Sequence, residues 1–196
     1  MTQIRNTWFE FAARLLKYAA LGIIAVPLSI VTHELGHFFA YHLFGASNIQ
    51  LHSASVSADK EVLTSFQVAT ANLVGPLISY LTIGLSLVFT RKKYVPFWVI
   101  LALAAPLGRI VNFVYVYFRA LGYTPNPNFD EFNFSRTLNI EPLWLAVLTM
   151  MAVVATMFFF LRKAWRAGGF GELALVIISI VAGLAVWMLV GGLILP

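Results

Sequence analysis

Two histidines and a glutamate lie within one helical turn of each other in the run THELGHFFA, residues 32–40. On an α-helix, residues four apart project from the same face, so His33 and His37 would lie side by side. Two imidazoles in this arrangement can bind one zinc ion, and Glu34 beside them can act as a general base. The alternative is a solvated polar face, which the apolar residues before this run disfavour. The spacing therefore predicts a metal site suited to hydrolysis.

A catalytic zinc ion usually has three protein ligands and one open position, so a third ligand must come from elsewhere in the chain. Asp130 is the best candidate, because the prolines and asparagines before it in GYTPNPNFDEF, residues 122–132, favour irregular backbone. Such backbone is tolerated at membrane depth where it lines a cavity. Three alternatives stay open: Glu131 is the ligand, Glu61 in an exposed charged run is the ligand, or Asp130 lies in an ordinary surface loop.

The composition indicates that these residues lie in a lipid bilayer. Of 196 residues, 60% are hydrophobic and only 11% are charged, and the mean hydropathy is +0.84. The chain has no cysteine, which excludes disulfides and thiolate zinc sites. Its net charge of +5 comes from short basic clusters beside apolar segments. That distribution indicates membrane topology and no nucleic-acid partner.

The elements that must position the site are apolar helices. The sequence predicts an all-α polytopic membrane protein that forms a single domain, residues 1–196, with five spans at roughly 18–44, 63–90, 95–119, 143–161 and 173–195. Each is close to or above the roughly 20 residues that a spanning helix needs. Between the first two spans, Ile49, Leu51, Ala54 and Val56 partly alternate with polar residues. This alternation predicts a short surface strand or hairpin, although a plain connector would also fit.

The basic residues predict the orientation of the chain, because cytoplasmic loops are enriched in Lys and Arg. With five spans, nine basic residues fall on one side, namely Arg5, Arg14, Lys17, Arg91, Lys92, Lys93, Arg162, Lys163 and Arg166. Three fall on the other side, namely Lys60, Arg119 and Arg136. We expect a cytoplasmic N-terminus and an uncleaved first span, since no small-residue cleavage site precedes the two histidines.

Two further polar residues share the predicted depth of the histidines. Counted from the ends of their spans at 1.5 Å per residue, Asn72 and Arg109 lie at the same level, which predicts a cavity open to the outer half of the membrane. Both are candidates to hold substrate or a developing oxyanion, with Arg109 favoured for the oxyanion. Alternatively, Arg109 pairs with Asp130 or Glu131 as structural support, and Asn72 makes a hydrogen bond between helices.

At these residues the chain resembles the M50 peptidases, the site-2 protease class of intramembrane zinc metalloproteases. The resemblance depends on THELGHFFAYHLFG (32–45), NLVGPL (72–77) and NFDEFN (128–133), about a third of the chain. It implies that His33, His37 and Asp130 bind Zn²⁺ and that Glu34 is catalytic. It also implies that the predicted strand presents an edge to substrate. The chain departs from the family in having Glu131, where glycine usually follows the aspartate.

The hypothesis from sequence is a zinc-dependent intramembrane endopeptidase, which hydrolyses a peptide bond in or near a transmembrane segment of a membrane protein substrate. A metal-binding membrane protein that transports or senses an ion is the alternative from another class. A non-catalytic homologue of these proteases is the third hypothesis. Glu34 beside both histidines favours hydrolysis, whereas transport normally needs polar residues at several depths.

Overall fold

The computed structural model describes the backbone of residues 2–195 and the side chains of residues 8–195. Arg5, one of the residues counted for orientation, therefore lies outside the described side chains. The helices are α1 Thr2–Leu43, α2 Ser65–Thr90, α3 Pro96–Ala104, α4 Val111–Ala120, α5 Asp130–Thr137 and α6 Pro142–Ile194. Two strands, β1 Ser47–His52 and β2 Ser55–Asp59, lie between α1 and α2. The chain is 78% helical, in agreement with the predicted all-α class.

The number of long apolar helices differs from the prediction. Four stretches of the described chain are long and apolar enough to cross a membrane, namely Trp8–Leu43, Ser65–Thr90, Pro96–Ala120 and Pro142–Ile194. The count is four and not five because the predicted spans 143–161 and 173–195 lie in one 53-residue element, α6. The residues between them, expected to form a connecting loop, are helical except at a glycine pair, Gly168 and Gly169.

A glycine pair interrupts α6. Gly168 has φ −167° and ψ 24°, and Gly169 has φ 64° and ψ −146°, so neither is helical. Only glycine adopts the conformation of Gly169 readily, because any Cβ there would be strained. Just before this break, the Lys163 ammonium donates to the carbonyl of Thr90 at the end of α2. The first half of α6 therefore ends beside the end of α2.

The second half of α6 runs back alongside α1. Glu172 accepts a hydrogen bond from Tyr18 in the first part of α1. Fifteen residues further on, the Trp187 indole donates to the Ser53 carbonyl in the hairpin that follows α1, at 3.0 Å. Since these contacts follow the order of α1, the two elements are parallel and α6 reverses its direction at the glycine pair.

The predicted third span, 95–119, is not one regular helix. Helix α3 ends at Ala104, a 3-10 turn follows at Leu107–Ile110, and α4 starts at Val111. Pro106 lies at this junction and has no N–H to donate to the carbonyl four residues earlier, which ends the regular helix. The irregular turn carries Arg109, which is buried.

The predicted surface hairpin is present. Strands β1 and β2 pair antiparallel, with Leu51 opposite Val56 and an irregularity between Ser47 and Gln50. Ile49 and Val56 pack with Ala40 and Tyr41 at the end of α1. The hairpin is thus held against the helix that carries the two histidines.

Candidate metal centre

His33, His37 and Asp130 bring three ligand atoms together. The two Nε2 atoms lie 3.1 Å apart. Asp130 places Oδ2 3.1 Å from Nε2 of His33 and Oδ1 3.4 Å from Nε2 of His37. The histidines project from one face of α1, and Asp130 is the first residue of α5, 97 positions along the chain from His33. Among the described residues, these three form a group that could hold a metal ion.

The spacing of these atoms suits a small tetrahedral cation. Ligands bound about 2.0–2.1 Å from a zinc ion at tetrahedral angles lie about 3.3 Å from one another. The three separations in the structure, 3.1, 3.1 and 3.4 Å, are close to that value. A His₂Asp set supplies nitrogen and carboxylate ligands of the kind that zinc accepts, and it leaves a fourth position open. The residues present therefore fit zinc, although their geometry does not identify the metal.

Helix α2 sets the orientation of both imidazoles. Nδ1 of His37 lies 2.8 Å from the carbonyl oxygen of Ala71, and Nδ1 of His33 lies 3.0 Å from Oγ of Ser79. Because a carbonyl oxygen can only accept, Nδ1 of His37 carries a proton, and in the neutral imidazole Nε2 therefore keeps its lone pair for a metal ion. Histidines that bind metals usually have their second nitrogen held in this way. Both Nε2 atoms thus face Asp130.

Gly75 allows α2 to approach the histidines. A Cβ atom built on Gly75 would overlap the imidazole of His37 at Nε2. The approach is close from the other side as well, since a Cβ on Gly36 would lie 3.1 Å from Cα of Gly75. Because both positions are glycine, α1 and α2 pack closely enough for His37 to form its hydrogen bond with the Ala71 carbonyl.

Glu34 lies in the same cavity as the three ligands. It is 8% exposed, and it lines the cavity together with His33 and His37. No hydrogen bond joins its carboxylate to another of the described residues, so both oxygens are available to a water molecule or a substrate. A carboxylate in this position can accept a proton from a water molecule beside the metal site.

Arg109 connects the site to a second carboxylate. Its Nη1 donates to Oδ2 of Asp130 at 2.8 Å and to both oxygens of Glu131, at 3.1 and 2.9 Å. Burial alone would raise the pKa of the Asp130 carboxyl, but the imidazoles beside it and the Arg109 guanidinium hold that pKa well below its usual range. Asp130 is therefore ionised, as a metal ligand must be.

The alternative third ligands lie elsewhere. Glu131 is 2% exposed and faces Arg109 instead of the histidines. Glu61 is exposed, in the turn after β2, and does not line the cavity. Asp130 is thus the acidic residue that the fold places beside the two imidazoles.

The site opens into a cavity of about 840 Å³, a volume typical of ligand-binding sites. Arg109 and Asn72, which the sequence predicts to lie at the depth of the histidines, both line this cavity. Asn72 accepts a hydrogen bond from the Tyr41 hydroxyl at 2.9 Å. Hairpin residues form another wall, from Ala54 to Val56.

Sequence reasoning gave no role to Ser79 or to the carbonyl of Ala71. Ser79 had a detectable signal, because it lies seven residues, or two helical turns, after Asn72 on the same face of an apolar helix. The carbonyl had none, since every residue has one. Comparisons with family models, curated proteins and solved structures found no match to this chain.

Proposed function

We propose that the protein is a zinc-dependent intramembrane endopeptidase of the site-2 protease type. The observation that supports this most directly is the meeting of His33, His37 and Asp130 in one cavity with Glu34, inside a set of apolar helices. A ligand set with a free carboxylate beside it is what metal-assisted hydrolysis requires. The substrate would be a membrane protein, cut in or near a transmembrane segment.

Each residue of the site would have its own role in the proposed reaction. A bound zinc ion would polarise the scissile carbonyl and make water a stronger acid. Glu34 would take the proton of the attacking water and give it to the leaving amine. His33, His37 and Asp130 would hold the metal, with Ala71 and Ser79 fixing the two imidazoles.

The cavity walls suggest how a substrate would lie. An extended segment is easier to hydrolyse than a helix, whose peptide bonds are shielded, and it can pair with an exposed strand edge. The hairpin residues that line the cavity offer such an edge. Asn72 would hold substrate backbone, and Arg109 would lie close enough to the ligands to stabilise developing negative charge.

The distribution of ligand residues favours hydrolysis over ion transport. A transport path needs binding groups at successive depths. In the described part of the chain, His33, His37 and Asp130 are the one group of three or more ligand residues. At the opposite end of α1, the carboxylate of Glu172 is engaged by Arg14 and Tyr18.

The Glu34→Gln variant tests this function. Glutamine keeps the size of the side chain but cannot accept the proton, so we expect about one zinc ion per chain in both wild type and variant. Proteolysis should fall at least about 10²-fold, the range that general-base catalysis contributes. The assay incubates detergent-purified protein with a membrane protein extract and measures new N-termini within apolar segments by mass spectrometry.

Glu10→Gln is a matched control, because Glu10 is an exposed glutamate on the same helix. It should leave both zinc content and cleavage unchanged. Equal cleavage by wild type and Glu34→Gln would refute the proposed mechanism. Zinc without any cleavage in wild type would instead favour a transport or sensing role.

A further inference from the structure

Arg109 is shared between two neighbouring carboxylates, of which one is a candidate metal ligand. The guanidinium is 7% exposed, and Glu131 is 2% exposed. Nη1 lies 2.8 Å from Oδ2 of Asp130 and 2.9 Å from Oε2 of Glu131. Nη2 of the same guanidinium lies 3.0 Å from Nε2 of His33. One cation therefore touches two of the three candidate ligands, His33 and Asp130, and also Glu131, the acidic residue next to Asp130.

The backbone around Arg109 fixes this side chain in place. Arg109 lies in the 3-10 turn between α3 and α4, and its carbonyl accepts a hydrogen bond from the side-chain amide of Asn112 (Nδ2) at 3.1 Å. Asn112 itself has no exposed surface. The turn and its partner hold the guanidinium over the start of α5.

A guanidinium in this position would by itself compete with a metal ion for Asp130. Both are cations, and both bind the carboxylate through its oxygens. In a buried site, charges are weakly screened, so an uncompensated arginine would repel a divalent cation a few ångströms away. The negative charge of Glu131 balances the positive charge of Arg109, so the pair is neutral. The charge of Asp130 is then left for the metal.

We propose that Glu131 is a positioning residue of the metal site, which acts through Arg109. It neutralises the guanidinium and holds it where it orients Asp130 without withdrawing that carboxylate from a metal ion. This role rests on the proposed function, because it requires that His33, His37 and Asp130 bind a metal. Outer partners of metal ligands typically change metal affinity 10- to 100-fold when they are removed.

The test is cobalt binding by Glu131→Gln, measured with Co²⁺ as a spectroscopic substitute for zinc. The purified full chain is titrated with Co²⁺ in detergent, and the visible absorption reports both affinity and ligand geometry. We expect Glu131→Gln to weaken Co²⁺ binding at least about tenfold. Glu141→Gln is the matched control, since Glu141 pairs with Arg119 at the surface and is 47% exposed. It should bind Co²⁺ as wild type does.

A double variant separates a role through Arg109 from a general loss of structure. If Glu131 acts by neutralising Arg109, removing both charges in Arg109→Gln/Glu131→Gln should cost less than Glu131→Gln alone. Addition of Glu131→Gln to an Arg109→Gln background should then change affinity less than about twofold. The same tenfold loss in both backgrounds would overturn the role through Arg109.

The outcomes also distinguish this role from the proposed function. Wild-type affinity in Glu131→Gln, with a clear Co²⁺ spectrum in both proteins, would overturn the role of Glu131 and leave the metal site standing. No Co²⁺ binding by wild type would overturn both. Each variant is checked by gel filtration, and elution at the wild-type volume indicates that it is folded.

Discussion

At the scale of residues, the site depends on groups that are costly to bury. A charged side chain at the centre of a bilayer costs about 2.5–3.5 kcal/mol on insertion scales. Glu34 and Arg109 are buried in two of the apolar stretches, and Glu131 is buried in α5, which packs against α2 and α6. Arg109 and Glu131 compensate each other through their hydrogen bonds. Glu34 has no such partner in the described chain, so its carboxylate is free for the proton transfer that we propose.

Gly75→Ala should weaken metal binding, because the added methyl group would occupy space that the His37 imidazole fills. The imidazole would have to move away from Ala71 and from the ligand position. Loss of a correctly oriented ligand should lower metal affinity at least about tenfold. Co²⁺ titration of the purified variant measures this.

Gly84→Ala is the control for that prediction. Gly84 lies on the same helix, and a Cβ there would meet no atom within 4 Å. The helix should gain slightly from alanine in place of glycine, and metal affinity should not change. Similar losses in both variants would show that the effect comes from helix α2 in general and not from contact with His37.

At the scale of elements, the sequence indicates some parts of the site better than others. The spacing of His33 and His37 predicts a shared face because helical geometry is local. Asp130 is brought to them by the packing of α5 against α2, a tertiary contact that no local pattern encodes. The hairpin was predictable from alternation of apolar residues. The division of the third span was not expected, although Pro106 marks the position.

The glycine pair in α6 has its own consequence for stability. Gly169 combines φ 64° with ψ −146°, a conformation that side chains with a Cβ adopt only at a cost of about 1–3 kcal/mol. Gly169→Ala should therefore lower the thermal unfolding temperature in detergent. Strain at the reversal would also loosen the contact between Glu172 and Tyr18.

Gly171→Ala provides the comparison. Gly171 lies two residues further on in helical backbone, and a Cβ there would meet nothing within 4 Å. Alanine should leave the unfolding temperature unchanged or raise it, because helices favour alanine over glycine by up to about 1 kcal/mol. A lower unfolding temperature in both variants would contradict strain confined to the reversal.

At the scale of the whole molecule, basic residues gather at one end of the helices and the candidate site lies toward the other. Arg14 contacts Glu172, and Lys163 contacts Thr90, so the first part of α1, the end of α2 and the reversal of α6 meet. Arg91, Lys92 and Lys93 directly follow Thr90. Lys60, by contrast, lines the cavity that contains the candidate metal ligands. If the basic end is cytoplasmic, the cavity opens toward the outer face.

Single cysteines test this orientation directly, because the chain has no cysteine of its own. Lys92 and Glu61 are both exposed, one beside each end of α2. In intact cells, a membrane-impermeant maleimide should label Glu61→Cys and not Lys92→Cys. Permeabilised cells should give label on both variants, and the cysteine-free wild type should give none. The reverse pattern would place the cavity on the cytoplasmic side. If the protein is the protease that we propose, the orientation therefore decides which side of the membrane receives the product.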